Sequence, residues 1–217
     1  MFLRILILFL ISLSLNAAEM VWDEDSANRT KNVSDKEYSQ ALVNYLATHG
    51  THGEREKQVF LGLMYLEGQG VKQDYLEASR LFKLSADQGN SNAQNNLGNL
   101  YYDGHGVKQD YQEAARLFKL SADQGNASAQ VNLGWMYANG QGVKQDYQKA
   151  ARLYKLSADQ GNATAQNNLG VLYQEGQGVK KDYKEAANLY RLSAKQGNKT
   201  AKKRLDRLCK AHPSACR

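Results

Sequence analysis

The hexapeptide Gly-Val-Lys-Gln-Asp-Tyr begins at Gly70, returns at Gly106 and Gly142, and appears once more at Gly178 with Lys181 in its fourth place. Each step is thirty-six residues, and the glycines keep it too. Gly62, Gly68, Gly70 and Gly89 recur in three further copies, which accounts for sixteen of the eighteen glycines in the chain. A fixed period of this length means one supersecondary unit used repeatedly, each copy burying its apolar face against the next. Proline occurs once, at Pro213, so glycine alone punctuates the units. With 42% hydrophobic and 23% charged residues the chain is globular in composition. Its two cysteines exclude a disulfide-dense mini-protein and a four-thiolate metal site.

Within a unit the apolar spacing is helical in two blocks. Ala93, Leu97, Leu100 and Tyr101 recur at three and four residues in the first, from Asn90 to Asp103. Tyr111, Ala114, Ala115, Leu117, Phe118 and Ala122 do so in the second, from Tyr111 to Gln124. Asp110 followed by Glu113 predicts a capping box at the second helix, as do Asp74 with Glu77 and Asp182 with Glu185; the third unit has Asp146 with Lys149 and keeps only the cap. Gly104 and Gly125 stand where the two helices should end, and Gly106 where the chain turns toward the next cap. Gly98 lies inside a helix, where it costs about 1 kcal/mol against alanine. Such a cost repeated in four units predicts a close helix contact, and Ala114 or Ala115 is the expected neighbour.

The pattern Ala129-Gln130, Leu133-Gly134, Tyr137, Gly140-Gln-Gly142-Val143, Asp146-Tyr147, Ala150, Leu153-Tyr154, Ser157-Ala158, Gln160-Gly161 resembles the Sel1-like repeat, a relative of the tetratricopeptide repeat. The resemblance covers 53–197 in four copies, about 53–88, 89–124, 125–160 and 161–197. It implies an all-α fold, a right-handed α-solenoid of helix pairs whose first helices line the concave side. It also implies an interaction scaffold or adaptor, as in protein assembly, envelope functions or contacts with hosts. A cysteine-rich branch of the family is associated with penicillin binding and β-lactamase activity, which makes a hydrolase the alternative. That branch carries a cysteine pair in each repeat, whereas the four units here contain none and no Ser-x-x-Lys or Lys-Thr-Gly element is present. No catalytic residues, cofactor or metal are therefore expected.

The ends read against the repeat. Met1 to Arg4 is basic, Ile5 to Leu15 is apolar apart from two serines, and Asn16-Ala17-Ala18 supplies small residues, so 1–18 is read as a secretory signal peptide. Its apolar run is too short for the roughly twenty residues of a spanning helix, and no transmembrane segment is expected after cleavage. Residues 19–33 form an acidic, polar tail with Trp22 as its only aromatic. Ser34-Asp-Lys-Glu37 with Tyr38, Ala41, Leu42 and Tyr45 predicts an N-terminal capping helix, a degenerate half-repeat over 34–52. At the other end, 198–217 reads as a capping helix in which Asp206 replaces the helix glycine and Cys209 the tyrosine.

Cys209 and Cys216 are seven residues apart, about 10.5 Å along an unbroken helix, so a disulfide requires the helix to stop between them. Pro213 supplies the break. An intrachain bridge is the expectation for an exported chain, and a metal site that adds His212 is the alternative. His49 and His52 read as solvated loop side chains, and His105 as exposed. From Lys195 onward eight basic residues stand against Asp206 alone. This is either a solvated terminal helix or a surface for an anionic envelope or host partner; nucleic acid is not expected, since no aromatic residues interleave. The Asn-x-Ser/Thr triplets at Asn126, Asn162 and Asn198 belong to the turns between units and are not read as glycosylation sites.

Comparing the copies separates scaffold from variable positions. Leu61, Leu97, Leu133 and Leu169 are constant, as are Tyr65, Tyr101, Tyr137 and Tyr173. Three positions of the first helix vary and share a face by their spacing of four and three. They are Val59, Asn95, Val131 and Asn167; Leu63, Asn99, Trp135 and Val171; and Leu66, Tyr102, Ala138 and Gln174. Stacking would align them into a continuous surface for a protein or peptide, with Trp135 and Tyr102 as anchors because large aromatics dominate binding hot spots. Drift at solvated positions is the alternative. Localisation follows from the leader: periplasmic or secreted. Amino-terminal sequencing of the exported protein should start next to Ala17 or Ala18; recovery of Met1 would refute the leader.

Overall fold

A computed structural model describes residues 53–216. The leader, the acidic tail and the N-terminal capping helix lie outside the described residues. Four helix pairs follow one another: α1 (Glu54–Glu67) with α2 (Tyr75–Asp87), α3 (Ser91–Asp103) with α4 (Tyr111–Asp123), α5 (Ala127–Asn139) with α6 (Tyr147–Asp159), and α7 (Ala163–Glu175) with α8 (Tyr183–Lys195). A ninth helix, α9 (Lys199–Ala211), and a 3-10 turn (Pro213–Cys216) close the described chain. No strand occurs among the described residues. Each helix packs on its predecessor and its successor, so the array is an α-solenoid held by nearest-neighbour contacts.

The predicted helix starts and stops are present. Asp110 Oδ1 accepts the backbone N–H groups of Gln112 and Glu113, at 2.9 and 3.0 Å; Asp74 and Asp182 cap their helices in the same way, and Asp146 accepts the Lys149 N–H at 2.9 Å. Such a cap contributes about 1 kcal/mol. The reciprocal half of the expected capping box is absent. The Asp110 N–H donates instead to the Tyr101 carbonyl at 2.9 Å, an acceptor left over in the last turn of α3. Glu113, freed from that role, forms an exposed ion pair with Arg116. The same backbone bond joins Asp74 to Tyr65, Asp146 to Tyr137 and Asp182 to Tyr173, so it fastens the loop of every unit.

α3, α5, α7 and α9 are capped by asparagine: the side chains of Asn90, Asn126, Asn162 and Asn198 accept the N–H of Ala93, Ala129, Ala165 and Ala201, whereas α1 starts at Gly53 without a side-chain cap. The triplets that resemble glycosylation acceptors thus contain N-caps. Gly104 ends α3 at φ 74°. Gly106 has φ 69°, and a β-carbon there would collide with the Tyr75 carbonyl of the unit before; the turn it makes is also an inter-unit contact.

The helix glycines do answer a close approach, but not to alanine. A β-carbon built on Gly98 would lie 2.7 Å from Cε1 of Phe118, and on Gly134 2.8 Å from Cε1 of Tyr154. Gly62 meets Phe82 and Gly170 meets Tyr190 likewise. The ring of the second helix lies flat against the bare backbone of the first, and Ala114 and Ala115 pack elsewhere in the same core. In α9 the glycine position is Asp206, which is exposed; among the described residues α9 is followed by a 3-10 turn and not by a second helix carrying a ring.

Polar groups inside the array are matched. Ser85, Ser121, Ser157 and Ser193 are fully buried, and each donates to a first-turn carbonyl of its own unit, as Ser121 Oγ does to Ser91 at 2.7 Å. Gln94 spans two units: its Nε2 donates to the Ala86 carbonyl at 3.3 Å and its Oε1 accepts from Gln124 at 2.7 Å. Gln130 and Gln166 repeat this. Gly134→Ala should lower stability by up to about 2 kcal/mol, because an overpacking cost of about 1–3 kcal/mol against Tyr154 outweighs the helix-propensity gain of about 1 kcal/mol. A urea melt measures it, and a stabilised variant would refute the ring contact.

Candidate functional site

The twelve variable positions do not form one open surface. Val59, Asn95, Val131 and Asn167 are buried, a correction to the expected exposed face. They sit in the seam between consecutive first helices. Asn132 on α5 donates to Asn95 and Asn99 on α3, at 3.1 Å each, and Arg204 on α9 donates to Asn167 on α7 at 3.0 Å. Val59 and Val131 belong to apolar clusters that reach into the following unit. Variation there changes how units are joined.

The other eight are at least partly accessible. Leu63, Leu66, Asn99, Tyr102, Ala138, Val171 and Gln174 are half-buried, and Trp135 leaves 38% of its surface open. Stacking brings two aromatic members together across units. Tyr102 and Trp135 meet edge to face with ring centroids 5.7 Å apart, and Tyr111 lies 5.1 Å from Tyr102 on the other side. The Tyr102 hydroxyl donates to Gln141 Oε1 at 2.7 Å. Tyr102 is therefore held by three neighbours, Trp135, Tyr111 and Gln141, and its partial burial raises its pKa, with Tyr111 and Asp103 adding to the rise. Gln141 is a positioning residue that sequence reading missed. Its signal was the His105 substitution at the same register, since His105 instead stacks on Tyr75 at 4.7 Å.

At the C-terminal end Cys209 and Cys216 form a disulfide with α-carbons 5.6 Å apart. As Pro213 implies, α9 stops at Ala211 and the 3-10 turn brings the second sulfur back. His212 stacks on Tyr183 with centroids 3.8 Å apart. Among the described residues no three His, Cys, Asp or Glu side chains are grouped to hold a metal; His49 and His52 lie outside them.

Two tyrosines on the second helices replace the phenylalanines of earlier units. Burial pushes the Tyr190 phenol from its ordinary 10.0 up to about 12, and raises that of Tyr154 as well, with a bond to Asn168 opposing.

The Sel1 repeat family model matches residues 58–90, 91–126, 127–162 and 163–198. No curated protein matches the chain. Among solved structures, c5321, a protective antigen present in uropathogenic Escherichia coli strains and displaying an SLR fold, is 33% identical over 86% of this chain with a TM-score of 0.69. The chain spans 43% of that protein's length. A Sel1 repeat protein from Oxalobacter formigenes is 30% identical, with 78% of this chain and 70% of that one covered and a TM-score of 0.70. Cysteine rich protein B of Helicobacter pylori shares the fold alone, at 17% identity and a TM-score of 0.51, over 61% of this chain and 95% of its own.

The raised phenol pKa values have a pH consequence of definite sign. Above pH 10 unfolded tyrosines lose protons while Tyr190 and Tyr154 keep theirs, so unfolding is favoured progressively as pH rises from about 10 toward about 12. Replacing both by Phe, the residue at the matching positions of the first two units, should flatten this alkaline loss in thermal melts. An unchanged pH profile would refute the burial argument.

Proposed function

Because this chain belongs to the Sel1 repeat family, we propose that it is an exported scaffold that holds a peptide or protein segment along the face of its first helices. The Tyr102–Trp135 pair carries the reading. An indole with 38% of its surface in solvent, held edge-on against a buried-side tyrosine, offers a rigid apolar ledge. Ordered aromatic area of this kind binds a partner with little side-chain entropy left to lose. Leu63 and Leu66 extend the ledge toward the N-terminal end and Val171 toward the C-terminal end, each half-buried on a first helix.

Export is supported by the leader pattern in 1–18 and by a disulfide, which persists in oxidising compartments. No helix among the described residues is long and apolar enough to cross a membrane. A periplasmic or secreted adaptor accommodates all three observations. An anionic envelope or host surface, met by the basic C-terminal helix, is a second contact compatible with the same location.

Trp135→Ala should leave the melting transition nearly in place, since the indole belongs to none of the buried apolar clusters, and weaken saturable capture of the native partner by about 2 kcal/mol or more, the usual hot-spot scale. Capture from the protein's own exterior, quantified for wild type and variant, is the measurement. Undiminished capture by a folded Trp135→Ala protein would refute the first-helix face as the binding surface.

A further inference from the structure

The variable register does not stop at α7. Thirty-six residues beyond Asn167, Val171 and Gln174 stand Lys203, Arg207 and Lys210 of α9, all exposed. The face that carries Leu63 and Leu66 on α1, Tyr102 beside Asn99 on α3, Trp135 on α5 and Val171 beside Gln174 on α7 therefore becomes cationic at its C-terminal end.

Beside that end α7, α8 and α9 surround a cavity of about 450 Å³, whose wall includes Lys181, Tyr183, Arg204, Arg207 and His212 together with Val171. Glu175 is the one carboxylate in the wall, and Gln174 donates to it at 2.9 Å while accepting from the Tyr190 hydroxyl at 3.0 Å. Among the described residues no ion pair engages Lys181, Arg204 or Arg207. Two of the three are nonetheless placed by neutral neighbours. Arg204 is tied to Asn167 at 3.0 Å, and the Tyr183 ring carries His212 at 3.8 Å on stacked planes and Lys181 Nζ at 5.7 Å from its centroid. The bridge from Cys209 to Cys216 closes the turn that contains His212.

We propose that this cavity takes a carboxylate of the bound partner, so that the occupant of the first-helix face is a peptide with apolar residues over α5 and α7 and an acidic end over α9. The inference rests on the first-helix face being the binding surface. Guanidinium groups recognise carboxylates through paired, charge-assisted hydrogen bonds, and Val171 in the cavity wall stands thirty-six residues beyond Trp135, at the same register of the next first helix. Two helix spacings of about 10 Å separate Trp135 from Arg207, a span that an extended peptide covers with roughly six residues.

The test uses two libraries of twelve-residue peptides with random cores, one ending in three glutamates at either terminus and one with glutamines in those places, panned on the full mature protein. The glutamate library should be enriched. A peptide selected from it should bind at least about tenfold more weakly to Arg207→Glu, the loss of one charge-assisted contact, and equally well to Lys199→Glu, which changes charge outside the cavity. Trp135→Ala should weaken it as well. Equal enrichment of both libraries, with binding still dependent on Trp135, would overturn the acidic end and leave the face standing. Binding that depends on Arg207 but ignores Trp135 would overturn the continuous face. Vesicles of phosphatidylglycerol provide the third arm: Arg207-dependent vesicle binding with no peptide enriched would overturn the proposal in favour of a lipid head group. If Arg207→Glu fails to fold by circular dichroism, Arg207→Gln with Lys181→Gln carries the same comparison.

Discussion

An aromatic ring laid against a bare helix backbone sets the geometry of every unit. Phe82, Phe118, Tyr154 and Tyr190 each occupy the space that a β-carbon on Gly62, Gly98, Gly134 or Gly170 would take. Glycine inside a helix sacrifices about 1 kcal/mol, and full burial of a large apolar side chain recovers roughly 1.5–3 kcal/mol. The balance favours the close contact, and it fixes the distance between the two helices of a pair. At α9, which among the described residues is followed by a 3-10 turn in place of a second helix, the glycine position is held by Asp206.

Rigid pairs still have to be joined in register, and polar groups do this. Buried serines tie the second helix to the start of the first within a unit, while Gln94, Gln130 and Gln166 tie each unit to its neighbour. A buried hydroxyl or amide without a partner costs about 1–3 kcal/mol, so a slipped register would be penalised at each of these sites. Apolar clusters supply attraction along the array, and the hydrogen bonds select one relative placement. The exposed Lys–Asp and Arg–Glu pairs on the second helices add little to this, since surface ion pairs contribute at most about 1 kcal/mol.

With geometry held by constant residues, the first-helix positions are free to differ from copy to copy, and their exposure decides what the differences do. The innermost set, Val59, Asn95, Val131 and Asn167, is covered and adjusts the seams. The outer sets reach solvent and build the ledge of Tyr102 and Trp135, which grades into the basic end of α9. A long partner segment lying across several units would meet apolar contacts and then charge, which orients it as well as holding it.

The repeat period was legible in the sequence because whole segments recur, and the helix pair, the caps of the second helices and the stop before Pro213 because each depends on residues within a few positions of one another. Gly98 signalled a close contact for the same reason: its local cost is visible without knowing its neighbour. Which neighbour met it was not legible, since Ala115 and Phe118 both lie on α4 and only the packed pair selects the ring. Nor could the sequence tell that the Asp110 N–H is taken by Tyr101, that Asn95 and Asn167 are covered, or that Lys181 in the loop before α8 and Arg207 on α9 share a cavity. Spacing along one helix assigns residues to a face; whether that face is seam or surface is decided by the helix that packs against it, and that helix is brought there by tertiary contact.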